Sequence, residues 1–302
     1  MDLSVVFATY KSEDILEKSL KAYCNINTNY QWELIIIDNA DSAETRELIA
    51  NYNDKLPIHF IEKSKPGKNN ALNLALPLVK GDLIFFTDND VIFAEDTIDI
   101  VIEAAKSNSD YDIFTGKILP NIDLPTWIDQ SSHRIKSAFV INDPGEKNKQ
   151  CYLEDVWGPN MIVRSKLFHG DIQFNPNVGP QGKDYVMGSE TELLKRFERS
   201  GHKALYLAGN KVYHQIRDEQ LTLNWLGSRA FRSGKGAAFN NNDSAVKLFG
   251  VPRYLLKKLV LDYCRNVQTS IYGDKRLKCL TSMEYNFTKG KVFQARRQLE
   301  NS

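Results

Sequence analysis

With 302 residues, 42% of them hydrophobic and 25% charged, the chain has the length and apolar content for one large globular domain or two smaller ones. No apolar stretch approaches the roughly 20 residues that cross a bilayer, Met1-Asp2-Leu3-Ser4 shows no leader pattern, and Cys24, Cys151, Cys264 and Cys279 form no C-x-x-C pair or zinc spacing; a reduced, cytoplasmic setting is expected. No nucleic-acid partner is expected, and the net charge of +1 hides an asymmetry: Val251 to Ser302 carries 11 Lys/Arg against 4 Asp/Glu, and the preceding part 28 against 34, which suits an anionic surface such as a membrane or a solvated basic helix.

In chain order, the pattern predicts a strand over Leu3–Ala8, an amphipathic helix over Glu13–Tyr23 with Ser12 as N-cap, a strand over Glu33–Asp38 and a helix near Ala43–Tyr52. A short strand at Ile58–Ile61, a Lys/Gly/Asn loop, a helix around Asn70–Val79 and a strand over Leu83–Thr87 follow. Continuous apolar runs alternating with helices indicate a parallel sheet covered on both faces. Further strands are predicted at Ile113–Ile118, Asn160–Arg164, Ala204–Leu207 and Lys211–His214, with a helix from about Glu190 to Ser200 after a loop at Phe174–Gly188. From Leu221 onwards the chain reads as helical, with Pro252 at a first turn.

Polar clusters stand at the ends of these strands. Asp88-Asn89-Asp90 follows the apolar run Leu83-Ile84-Phe85-Phe86, and two carboxylates at a strand's carboxyl end suit a divalent cation, Mn²⁺ or Mg²⁺, that shares its shell with a diphosphate. Asp110-Tyr111-Asp112 repeats the spacing but precedes its strand, which places it at the opposite end of the sheet as a solvated loop. Thr9-Tyr10 ends the first strand and Asp38-Asn39 the second, while Lys68 and Asn73 belong to the next strand-to-helix connection. Together these clusters suit a nucleotide, although Asp38-Asn39 alone is a common turn pair and Lys68 alone an ordinary solvated lysine. No G-x-G-x-x-G follows the first strand, and Gly234-Lys235-Gly236 lacks the strand and the Ser/Thr of a P-loop.

On these residues the chain resembles a family 2 glycosyltransferase of the GT-A fold, from Leu3 to about Gly236. Val5–Tyr10, Ile35–Asp41, Lys65–Asn73, Gly81–Asp90, Trp157–Arg164, Gly188–Leu193 and Val212–His214 carry the resemblance, and Lys65-Pro66-Gly67-Lys68-Asn69-Asn70-Ala71-Leu72-Asn73 meets the family pattern KxGKxxALN in altered form. The resemblance implies an α/β, Rossmann-like, mostly parallel sheet flanked by helices, with residues 1–236 as the catalytic domain and 237–302 as a basic helical extension. It implies inverting transfer from a nucleotide diphosphate sugar, with Thr9, Tyr10, Asp38, Asn39, Lys68, Asn73, Asp88 and Asn89 along the donor and Asp90 on the metal. Trp157 and Asn160, in a segment like the family's GxNM, would line the donor-sugar and acceptor floor. His214 resembles a further metal ligand.

Inversion needs a base opposite the leaving diphosphate. Where many family members carry an E-D pair, this chain has Gly188-Ser189-Glu190-Thr191-Glu192, and Glu190 falls at the second acid. Glu190 is therefore the expected base and Glu192 an acceptor-side or structural residue; both also suit the first turn of a helix, whose dipole favours acids. Arg229, Arg232 and Lys235 could neutralise the diphosphate or form a solvated face. Tyr254, Leu255, Leu256, Leu259, Val260, Tyr263, Cys264 and Val267 recur at helical spacing among Arg253, Lys257, Lys258 and Arg265. Docking of this stripe on its own domain is the preferred reading, and contact with the inner face of a membrane the other.

The expected activity is metal-dependent transfer of a sugar, UDP-linked, to a hydroxyl of a glycan or lipid-linked glycan in surface polysaccharide synthesis. A sugar nucleotidyltransferase, whose glycine-rich phosphate loop is missing here, and a non-catalytic glycan-binding or scaffold protein are the alternatives.

Overall fold

Buried aliphatic runs build the early strands, and helices cover them on both faces. The computed structural model describes residues 1–62, 67–179, 187–239 and 246–300. In it the chain runs β1 (Leu3–Thr9), α1 (Glu13–Tyr23), β2 (Trp32–Asp38), α2 (Ala43–Ala50), β3 (Ile58–Ile61), α3 (Lys68–Ala75), β4 (Leu83–Phe86), β5 (Val91–Phe93), α4 (Thr97–Ser107) and β6 (Ile113–Pro120). It continues through α5 (His133–Phe139), β7 (Lys149–Cys151), β8 (Met161–Arg164), α6 (Ser189–Arg199), β9 (Ala204–His214) and α7 (Leu223–Phe239). A hairpin of β10 (Lys247–Leu248) and β11 (Val251–Pro252) precedes α8 (Arg253–Tyr272) and α9 (Lys275–Glu300). Two compact units result: Met1–Asn121, Val140–Gly182 and Ser189–Gln215 form the first, and Ile122–Phe139, Lys183–Gly188 and Ile216–Ser302 the second.

The first unit holds one sheet in the order β3-β2-β1-β4-β8-β6-β9-β5, with β7 against β9. Alternate residues of β1 face opposite layers, as the period of two requires. Leu3, Val5 and Phe7 pack with Leu16 and Leu20 of α1 and with Ile98 and Val101 of α4. Val6 joins Ala71 and Leu72 of α3 and Leu193, Leu194 and Phe197 of α6. The strands β3, β2, β1 and β4 are parallel, as expected. Beyond them the sheet is mixed, because β8 lies antiparallel between β4 and β6. The segment Trp157–Asn160 thus precedes its strand, yet it reaches the rim where β1, β2 and β4 end. Helix α4 lies in Ile98-Asp99-Ile100-Val101-Ile102, whose β-branched alternation imitates a strand.

Asp112, at the amino end of β6, lies at the opposite end of the sheet from Asp88. Lys166 Nζ and His202 Nδ1 each stand 2.8 Å from its carboxylate. Burial pushes that carboxyl up, but these two partners outweigh it and hold it below the usual range. It is an ion-pair anchor and not a second cation clamp.

In the second unit α7 and α9 touch through backbone. A Cβ on Gly234 would come within 2.0 Å of the Phe287 carbonyl oxygen, and one on Gly290 within 2.1 Å of that of Phe231. The glycine read as part of a false P-loop therefore serves a helix crossing. This packing groups α7 with α8 and α9, and the second unit takes up the chain again at Ile216. No helix among the described residues is long and apolar enough to cross a membrane.

Candidate active site

The end of β4 and the first turns of α3 and α6 bring charged groups together in the first unit. Lys68, in the first turn of α3, places Nζ 2.7 Å from Asp88 Oδ1 and 2.9 Å from Glu190 Oε1. One ammonium thus joins the acid after β4 to the acid opening α6, which lies 122 positions beyond Lys68 in sequence. Burial alone would lower the proton affinity of Lys68, but Asp88 and Glu190 outweigh it and raise its pKa above the ordinary lysine value. A raised pKa means that Lys68 stays charged below its ordinary value and loses its proton, with the stability of the pair, only in strong alkali.

Asp90 follows two residues after Asp88. Its Oδ2 lies 3.4 Å from Nε2 of His214, which is buried at the end of β9. The pairing of Val91 with His214 between β5 and β9 fixes this approach. Asn89 turns the other way and donates to Thr9 Oγ1 at 3.2 Å and to Ser12 Oγ. Ser12 does stand at the N-cap of α1, but its hydroxyl makes no cap bond and belongs to this network instead.

The rim explains the glycine of Trp157-Gly158-Pro159-Asn160. A Cβ at residue 158 would come within 2.7 Å of Glu190 Oε1 and 2.8 Å of its Cδ. The three nearest atoms all belong to the flexible Glu190 side chain. Gly158→Ala is accordingly expected to change unfolding free energy by under about 1 kcal/mol while turnover falls by about 10- to 100-fold, since misplacing a catalytic group by 1 Å can cost that much. Urea unfolding beside steady-state kinetics checks the split.

Other expected site residues are put to different uses. Asn160 is fully buried; its amide donates to the Lys117 carbonyl at 3.0 Å and accepts from Asn210 at 2.8 Å, so this side chain braces the sheet instead of lining the sugar floor. The half-buried Asn73 amide donates to and accepts from the Phe174 backbone at 2.8 Å. Both oxygens of buried Asp38 accept backbone N–H groups, from Ala40 at 2.8 Å and Ser42 at 2.6 Å, which closes the turn before α2. Asn39 donates its N–H to the Thr9 carbonyl. Tyr10 is exposed beside these residues, and Trp157 is half-buried against the core. Glu192 is 3.0 Å from Arg196 one turn on. Arg229, Arg232 and Lys235 belong to the second unit, where Lys235 is buried with Nζ 5.5 Å from the Phe293 ring centroid. Lys65 and Pro66 lie outside the described residues.

Hard oxygen from Asp90 and imidazole nitrogen from His214 fit Mn²⁺ or Mg²⁺, which take few protein ligands when a diphosphate supplies the rest. Among the described residues no group of three or more His, Cys, Asp or Glu could hold a metal alone.

The sequence model for glycosyl transferase family 2 matches residues 4–170. A glucosyl-dolichyl phosphate glucuronosyltransferase of Haloferax volcanii is 21% identical over 242 residues, covering 78% of this chain and 75% of that protein. A beta-monoglucosyldiacylglycerol synthase of Trichormus variabilis is 26% identical over 209 residues, which span 60% of this chain but only 45% of that protein. A solved mannosyltransferase from Pyrobaculum calidifontis, in complex with GDP-Man and Mn2+, has a TM-score of 0.62 at 14% identity, over 97% of this chain and 86% of that one. S. aureus TarS 1-349 in complex with UDP-GlcNAc has a TM-score of 0.56 at 14% identity, over 94% and 91%. The fold is that of the GT-A glycosyltransferases, and the chain, a glycosyltransferase, belongs to family 2.

Proposed function

We propose that this enzyme transfers a sugar from a nucleotide diphosphate sugar, UDP-linked, to a hydroxyl of a lipid-linked glycan at a membrane surface, with inversion, as a step in surface polysaccharide synthesis. The observation that carries the reading is the Lys68 bridge between Asp88 and Glu190 on the rim that also holds Asp90 and His214. Similarity to proteins whose names specify dolichyl phosphate and diacylglycerol substrates supports a lipid-borne acceptor. Solved neighbours holding UDP-GlcNAc and GDP-Man support a nucleotide-sugar donor.

Exposed Tyr10 and the backbone around Asp38 and Asn39 would meet the nucleoside, with Thr9, Asn89 and Asp88 towards ribose and diphosphate. Asp90 and His214 would hold the cation, which offsets the charge of the departing diphosphate as a Lewis acid. Such a cation would offset negative charge: among the described residues Asp88 and Glu190 flank Lys68, Asp90 stands beside them, and a diphosphate adds more. Glu190 takes the proton of the acceptor hydroxyl as its oxygen bonds to the anomeric carbon, and the bond from that carbon to the diphosphate oxygen breaks on the opposite face. Lys68 aims the Glu190 carboxylate, and Gly158 leaves the space that this aim requires. Trp157 offers an apolar wall to the sugar.

Incubation with UDP- and GDP-sugars, Mn²⁺ and lipid-linked glycan extract tests this reading, with products resolved by mass and proton NMR. Expected is a product one sugar heavier whose new anomeric configuration is opposite to the donor's. Retained configuration, or release of pyrophosphate in place of nucleoside diphosphate, would overturn it.

A further inference from the structure

The stripe expected to dock on the protein splits in two along α8. Leu255 and Asp262 are buried, and the Asp262 carboxylate accepts from Lys258 Nζ and from Thr288 Oγ1 of α9, each at 2.7 Å. Tyr254, Val260, Leu261, Tyr263, Val267, Ile271 and Tyr272 face solvent, with Val260 62%, Ile271 65% and Tyr272 83% exposed. Arg253, Lys257 and Arg265 are exposed among them. Asp262 is the helix's sole acid, and Glu284 of α9 meets α8 at Lys258, 3.7 Å away.

The hairpin that feeds α8 has the same character. Val246, Lys247, Leu248 and Phe249 are exposed, Phe249 to 75%. Phe249 also takes φ of 50°, a left-handed conformation that a bulky aromatic residue rarely adopts. Burying this solvated ring in an apolar surrounding would offset the cost of holding it there.

We propose that the hairpin at residues 246–252 and the exposed face of α8 are a docking surface for an anionic lipid bilayer. Phe249, Leu248, Val260, Leu261 and Ile271 would enter the interface, while Arg253, Lys257 and Arg265 meet lipid phosphates. Charge selects this occupant over a second copy of the chain. Two such faces would set Lys247, Arg253, Lys257 and Arg265 against the same four cations, whereas an anionic leaflet attracts all of them. The tyrosines at both ends, Tyr254 and Tyr272, suit the headgroup level, where one side of the ring is apolar and the other wet. This proposal rests on the lipid-linked acceptor reading only for its biological purpose; the surface itself stands on exposure and charge.

Co-sedimentation of the full chain with vesicles of phosphatidylcholine, or of equal parts phosphatidylcholine and phosphatidylglycerol, tests it. Binding to the anionic vesicles is expected, weakened on the order of 100-fold in the triple variant Arg253→Gln, Lys257→Gln, Arg265→Gln, as three cations near an anionic surface imply. The variant Phe249→Ser with Ile271→Ser should bind weakly at low and high salt alike. Both variants replace exposed residues, and circular dichroism checks their folding. Equal binding to both vesicle types, no binding to either, or a solution dimer abolished by the serine variant would each overturn the proposal. Transfer to a soluble acceptor analogue, measured in parallel, separates the two readings: loss of vesicle binding with transfer intact removes the docking surface alone, and absent transfer with binding intact removes the catalytic reading alone.

Discussion

Glu190→Gln is expected to lower turnover by about 10²- to 10⁴-fold, the range a positioned general base supplies, while nucleotide-sugar affinity stays within a few-fold. The amide keeps the shape of the carboxylate and can still face Lys68 Nζ, now 2.9 Å from Oε1, but it cannot take the acceptor proton. Glu192→Gln is the matched control. Its carboxylate faces Arg196 at 3.0 Å, an i,i+4 pair on an accessible helix face, so its loss should leave turnover nearly intact. Single-turnover kinetics with saturating donor isolates the chemical step. Should Glu192→Gln abolish transfer while Glu190→Gln retains it, the base lies two residues further along α6.

Asp90→Asn should reduce metal-dependent donor binding and turnover together by at least about 100-fold, the upper range that changes behind a metal ligand already reach. Asparagine keeps an oxygen but loses the negative charge a divalent cation needs. The Asp90 backbone carbonyl, which accepts from the Gln215 N–H at 2.8 Å, is untouched, so the β5–β9 pairing should survive. A thermal midpoint within about 4 °C of the parent, the shift that 1 kcal/mol makes in a chain of this size, would exclude unfolding as the cause. The two variants then differ in kind: Glu190→Gln binds donor and does not turn over, and Asp90→Asn loses the donor first.

Much of this site was legible because its signals are local. Leu83–Phe86 is a short apolar strand, and the acids after it stand at its carboxyl end by necessity. The same holds for Thr9 and Asp38, and the failure of Asp110-Tyr111-Asp112 as a clamp follows from its place before β6. What sequence could not carry were partners chosen across the fold. Asn73 and Asn160 look like ligand-facing amides, and their partners, the Phe174 backbone 101 residues away and Asn210 50 away, are chosen only by the fold. Gly158 stands in a recognisable motif, but its reason is the carboxylate of Glu190 packed over it. The antiparallel β8 was hidden because strand direction depends on the whole sheet order, not on composition. The C-terminal helix misled in the other direction: periodicity found its apolar residues but could not say which of them α9 would cover.

Calorimetric titration of the parent, Asp90→Asn and Glu190→Gln proteins with a nucleotide sugar, with and without Mn²⁺, tests the donor site most directly. Expected is metal-dependent binding in the parent and in Glu190→Gln, and its loss in Asp90→Asn. Binding that ignores Mn²⁺, or survives unchanged in Asp90→Asn, would contradict a cation held by Asp90 and His214 at the end of β4.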